Sequence, residues 1–141
     1  MKHFEPIVVA FCCMFCAGNA ESGARSKKAG HSSSVRVIKL PCVGKIDSIH
    51  VLKAFEHGAD AVFVAGGPFG QCRFMEGMTT VQKKIDYSIK LLEELGIEPE
   101  RLAVFPLSQA EGQKFIEAAE EMVKRACALG PSPLKKAKKA A

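Results

Sequence analysis

The chain has 141 residues, 48% of them hydrophobic and 25% charged, which fits one domain around a single core and excludes a disordered chain or a second domain. Its formal charge is +5, but Lys135, Lys136, Lys138 and Lys139 supply four of those charges, so the body is nearly neutral. With no Trp, one Tyr and no basic run interleaved with aromatics, it lacks the charged footprint and stacking platforms of a nucleic-acid surface.

Pro6 to Phe11 is a continuous, β-branched apolar run and predicts a first strand, buried on both faces and ending at Cys12. Lys2, the apolar run from Ile7 to Ala17 and the small residues Gly18-Asn19-Ala20 imitate a secretion signal. Glu5 and Pro6 directly before the run and three cysteines inside it argue against one. The run has eleven residues, and a membrane span needs about 20. Residues 18–34, rich in Gly, Ser, Ala and Lys, fit a poor helix and a loop equally well.

Val35 to Leu40 predicts the second strand, closed by Pro41. A helix follows from Asp47 to His57, with Ile49, Leu52 and Phe55 inward, Asp47 as its cap and Gly58 as its stop. Ala61 to Ala65 predicts the third strand, running into Gly66-Gly67-Pro68-Phe69-Gly70. The spacing of those glycines is not a dinucleotide fingerprint, and Pro68 removes an amide that a phosphate would use. Thr79 to Leu95 predicts a longer helix, with Val81, Ile85, Leu92 and Leu95 at helical spacing and Gly96 as its stop. Leu102 to Leu107 predicts the fourth strand. The last helix opens on Ser108-Gln109-Ala110-Glu111, a capping box, and turns Phe115, Ala119, Met122 and Ala126 inward.

Strands alternating with helices predict an α/β fold, a single domain with a four-stranded parallel sheet flanked by helices in flavodoxin-like order. The domain spans 1–131, and 132–141 forms a flexible Lys/Ala/Pro tail.

In such a sheet the loops after the strands' carboxyl ends gather on one edge. Cys12, Cys13 and Cys16 are expected after the first strand, Cys42 after the second and Cys72 after the third, whereas Cys127 lies far along the last helix. Several thiolates at one rim suit a soft metal centre, and iron-sulfur clusters take four of them. A secreted disulfide framework is the poorer fit, because these cysteines sit among periodic apolar segments. Two other readings stay open. Cys13-Met14-Phe15-Cys16 after a strand has the form of a thioredoxin-like thiol-disulfide pair, and zinc would stabilise an interaction module, although one close group and two distant singles are not its usual spacing. A Rieske centre needs two histidine ligands, and none of His3, His31, His50 or His57 stands beside a cysteine in sequence. No paired carboxylates, Ser/His/Asp set or Walker motif point to a hydrolase or nucleotide enzyme.

Phe11-Cys12-Cys13-x-x-Cys16, Cys42-x-Gly44-x-x-Asp47, Leu52-Lys53-Ala54-Phe55-x-x-Gly58-Ala59-Asp60, Gly96-Ile97-Glu98-x-Glu100-Arg101-Leu102 and Ser108-x-Ala110-Glu111-Gly112-x-Lys114-Phe115 together carry a resemblance. From Pro6 to Pro131 the chain resembles the iron-sulfur delta subunit of methyl-viologen-reducing hydrogenase. The resemblance implies a cytoplasmic 2Fe-2S protein that performs no bond chemistry of its own. It would dock on the flavin-containing A subunit of a heterodisulfide-reductase-like complex and pass on electrons from a hydrogenase, a formate dehydrogenase or a similar donor. Such complexes are typical of anaerobes.

The family's second cysteine after the third strand is replaced here by Gly67. The ligands expected are Cys13, Cys16, Cys42 and Cys72, with Cys12 as the alternate, because spacing does not choose between neighbours. Met14, Phe15, Phe69, Phe74 and Met75 would shield the cluster or meet the partner.

Overall fold

The computed structural model describes residues 5–13, 35–40, 46–66, 77–106 and 112–134. Four strands, β1 (Val8–Cys13), β2 (Val35–Leu40), β3 (Ala61–Gly66) and β4 (Leu102–Pro106), form one sheet in the order β2-β1-β3-β4. All three pairings are parallel, the doubly wound order expected. The helices are α1 (Ser48–Glu56), α2 (Gly77–Glu94) and α3 (Gly112–Leu129), with a 3-10 turn at Pro99–Arg101 before β4.

β1 and β3 are the interior strands, and every residue of β3 is buried, which is why both read as unbroken apolar runs. Period-two alternation divides the strands between two core layers. Phe11, Val62, Val64 and Leu102 meet the face formed by Val51 and Phe55 of α1 and Val81, Ile85 and Leu92 of α2. Val8, Ala10, Cys12 and Phe63 meet Phe115, Met122 and Ala126 of α3 on the other side. There Phe63 stacks edge-on against Phe105, with ring centroids 5.6 Å apart.

The start of α1 and the turn after α2 each have a local cause. Asp47 caps α1: its side chain accepts from the Ser48 amide at 2.8 Å, while Nδ1 of His50 accepts from the Asp47 amide at 2.9 Å. This is a capping box with an imidazole in the place usually held by Glu or Gln. Gly96 closes the turn after α2 at φ +79, in the left-handed region that a side chain disfavours. The capping box expected at Ser108–Glu111 lies outside the described residues, as do 18–34, 67–76 and the lysine tail from 135.

The structure corrects three expectations. β1 does not end at Cys12 but runs through Cys13, because Cys12 pairs with Lys39 and Ala65 and Cys13 with Leu40. Ile49 does not face inward and is 56% exposed. It sits six residues before Phe55, about 120° round the helix from it, so Val51 takes the inward place. Leu95 is likewise exposed, since α2 stops at Glu94, and Ser88 fills the buried stripe, its hydroxyl donating to the Lys84 carbonyl at 2.7 Å.

Ser132 is fully buried and Leu134 packs on the core.

Candidate functional site

The strand ends stand level. Cys13 is in register with Leu40, Cys12 with Ala65, Ala65 with Phe105 and Gly66 with Pro106, so the carboxyl ends of all four parallel strands form one edge. The chain leaves β1 for β2 on one side and later returns to place β3 on the other. That makes the end of β1 the point where the strand order reverses, the place where open α/β sheets bind their ligands.

Cys12 and Cys13 occupy that point. Cys12 is fully buried in the core layer beneath α3, the position of a small apolar filler. Cys13 is the last residue of β1. Cys16, Cys42 and Cys72 lie outside the described residues, as do Gly67 and the apolar residues Met14, Phe15, Phe69, Phe74 and Met75. Chain length nevertheless bounds how far each can stand from the edge. Cys16 is three residues past Cys13 and Cys42 two past Leu40, and two extended residues reach at most about 7 Å. Cys72 follows Gly66 by six residues, a reach of at most about 22 Å. Among the described residues no three His, Cys, Asp or Glu side chains stand close enough to hold a metal ion, and no described helix is long and apolar enough to cross a membrane.

Cys127 is exposed and sits in the last turn of α3. An 18-residue helix is about 27 Å long. It begins after the carboxyl end of β4 and finishes against Arg101, which precedes that strand. Cys127 therefore belongs to the opposite edge of the sheet, as expected.

That opposite edge holds the strongest polar cluster of the described residues, one that sequence reasoning read only as part of a motif. Arg101 is fully buried. Its Nε donates to Glu98 Oε2 at 2.6 Å, and Nη1 to the carbonyls of Asp60 and Gly130, both at 2.9 Å. Nη2 donates to the carbonyls of Leu129 at 3.4 Å and Pro131 at 3.3 Å. A guanidinium carries five N–H donors, and each has an acceptor here. Asp60, also fully buried, accepts from the Ile7 amide at 2.8 Å and the Ser132 amide at 2.9 Å.

The cluster thus ties the starts of β1, β3 and β4 to the end of α3 and leaves its carbonyls satisfied. The sequence signal was an arginine directly before a strand with a glutamate three residues earlier. Its carbonyl acceptors lie 28 to 41 residues away, out of reach of any local pattern.

Comparison with known proteins gives a consistent result. The family described as methyl-viologen-reducing hydrogenase, delta subunit, matches residues 8–130. The chain is 43% identical over 127 residues to the iron-sulfur D subunit of the vhu F420-non-reducing hydrogenase of Methanopyrus kandleri, covering 90% of this chain and 96% of that one. It is 41% identical over 131 residues to the protein of the same name in Methanococcus maripaludis, covering 93% and 98%. It is also 33% identical over 126 residues to the A subunit of the ferredoxin:CoB-CoM heterodisulfide reductase of Methanosarcina mazei, covering 89% of this chain but 16% of that much longer one.

Proposed function

The chain belongs to the methyl-viologen-reducing hydrogenase delta-subunit family, and from that premise we propose that it is an electron-transfer subunit holding a 2Fe-2S cluster on Cys13, Cys16, Cys42 and Cys72. The observation that carries the reading is the level edge of the sheet. Cys13 closes β1 in register with Leu40, two residues before Cys42, so thiols 29 positions apart in sequence start from adjacent strands about 5 Å apart. The donor set fits the group, because cysteine sulfur is the soft ligand that iron-sulfur clusters take.

Cys12 falls out of the ligand set in this reading, since its place is the dry layer beneath α3. A cluster of this kind supplies one-electron exchange when bound. The protein's part is to start the ligand-bearing segments from one level sheet edge, with Cys13 on the end of β1 itself, and to cover the sheet on both faces. Thiols left as ligands rather than disulfides suit a reducing cytoplasm.

Relatives named as hydrogenase iron-sulfur subunits, and a relative in which the matching region is part of the A subunit of a heterodisulfide reductase, support the rest of the reading. The electron donor is a hydrogenase, a formate dehydrogenase or a similar enzyme. The acceptor is a flavin-containing protein of the heterodisulfide reductase A type.

The test is anaerobic purification with iron, zinc and acid-labile sulfide analysis. About two irons per chain, with a visible absorption that bleaches on reduction, are expected. Cys13→Ser, Cys16→Ser, Cys42→Ser and Cys72→Ser should each lower iron content or alter the spectrum, while Cys12→Ala should leave both intact. Colourless protein carrying zinc would overturn the reading in favour of a structural site. Metal-free protein whose Cys13-Cys16 pair cycles with a dithiol would overturn it in favour of a disulfide enzyme.

A further inference from the structure

We propose that the groove between the edge strand β2 and helix α1 is the docking surface for an acidic segment of the partner protein bearing apolar side chains. The inference rests on the electron-relay reading and names the face through which that partner is held.

The groove encloses about 440 Å³, a volume in the range of natural binding clefts. Val9 and Phe11 of β1 and Ile38 and Leu40 of β2 form its floor, and Ala54 of α1 keeps it wide. The floor is apolar and part of it faces solvent, Ile38 being 43% exposed. Of the four large hydrophobic residues exposed among those described, Ile38 lies on β2 and Ile49 in the first turn of α1, the two elements that frame the groove. A partly exposed apolar floor of this kind is a feature of interaction sites.

Charge selects the occupant. The cation of the described groove lining is Lys53, beside the imidazoles of His50 and His57 as further polar groups, and that lining holds no carboxylate. A segment carrying Asp or Glu beside its apolar anchors is complementary to that lining. A second copy docked groove to groove would bring another Lys53 and no carboxylate from this lining.

Position selects the partner. Leu40 closes β2 in register with Cys13, so a protein seated in the groove abuts the edge where the proposed ligands gather. In the Methanosarcina mazei relative the matching region is 16% of the chain, so a domain of this kind there shares its polypeptide with a much larger body, for which it needs a contact face.

The test compares the isolated chain with the complex it forms with its flavin-containing partner of the heterodisulfide reductase A type, both prepared anaerobically and treated with an acetylating reagent. Lys53 should react in the isolated chain and be protected in the complex. Ile38→Asp and Lys53→Glu should each weaken the complex about tenfold or more, the scale of a central interface residue, with iron content unchanged, while Lys124→Glu on α3 should bind as the parent does. Equal reactivity of Lys53 in both states, or parental binding by both groove variants, overturns the proposal. So does a small acid that co-purifies with the isolated chain and protects Lys53 before any partner is added. A complex with Lys53 protected, formed by a chain that holds no iron, sinks the electron-relay reading and leaves the docking surface standing.

Discussion

Replacing Arg101 by Met removes one guanidinium and keeps most of the apolar stem, so it isolates the value of the five-donor cluster. Four backbone carbonyls lose their donor. That of Asp60 is in a buried bond, and those of Leu129, Gly130 and Pro131 are in partly buried ones. A buried acceptor left unmet costs about 1–3 kcal/mol, and water can reach the partly buried three. The sum is roughly 3–5 kcal/mol, the scale seen when one partner of a buried charge pair is removed. Against a total stability of about 5–15 kcal/mol for a domain, this is a large share. In urea, with a slope of about 2 kcal/mol per molar, the unfolding midpoint followed by circular dichroism should fall by roughly 2 M. Glu98→Gln is the control: the amide oxygen of Gln can still accept from Nε, and that side chain is 38% exposed, so it should cost clearly less than losing the donor to four carbonyls. If Arg101→Met moves the midpoint no further than Glu98→Gln does, the energy does not reside in the carbonyl contacts and the reasoning fails.

Gly96→Ala should destabilise by about 1–2 kcal/mol through the backbone alone, because φ is +79 and an added Cβ meets no atom within 4 Å; Gly96→Asn should cost less in the same urea titration. Asp47→Ala removes the cap of α1 and should cost about 1 kcal/mol, read as a lower midpoint and faster amide exchange in the first turn of that helix. Cys12→Ala opens a gap of about one atom in the layer beneath α3 and should cost about 1 kcal/mol. Its iron content should match the parent, and loss of iron would place Cys12 among the ligands.

The fold was largely legible because its signals are local. The unbroken apolar runs at 6–11 and 61–65 read as strands, the first of them as one covered on both faces, the capping residue Asp47 and the stops Gly58 and Gly96 stood where helices begin and end, and Phe115, Ala119, Met122 and Ala126 marked the inward stripe of α3. Errors arose where the pattern was right but its phase was set by neighbours. Ile49 looked inward until the helix angle gave that place to Val51. β1 was stopped at its first cysteine because a thiol is hard to tell from a loop residue by type, whereas pairing on both sides carries the strand through Cys12 and pairing with β2 alone extends it to Cys13.

By itself the sequence determined the element types, the parallel α/β class, the chain of cysteines after successive strands and the family resemblance, since each depends on residues near one another or on short spacings. Only the tertiary structure decided that Cys12 is buried beneath α3, that Arg101 and Asp60 bind the sheet's far edge to residues 129–132, and that β2 and α1 leave an apolar groove between them. Those outcomes depend on which strands lie side by side and in what register, and that is settled by the packing of segments far apart in the chain.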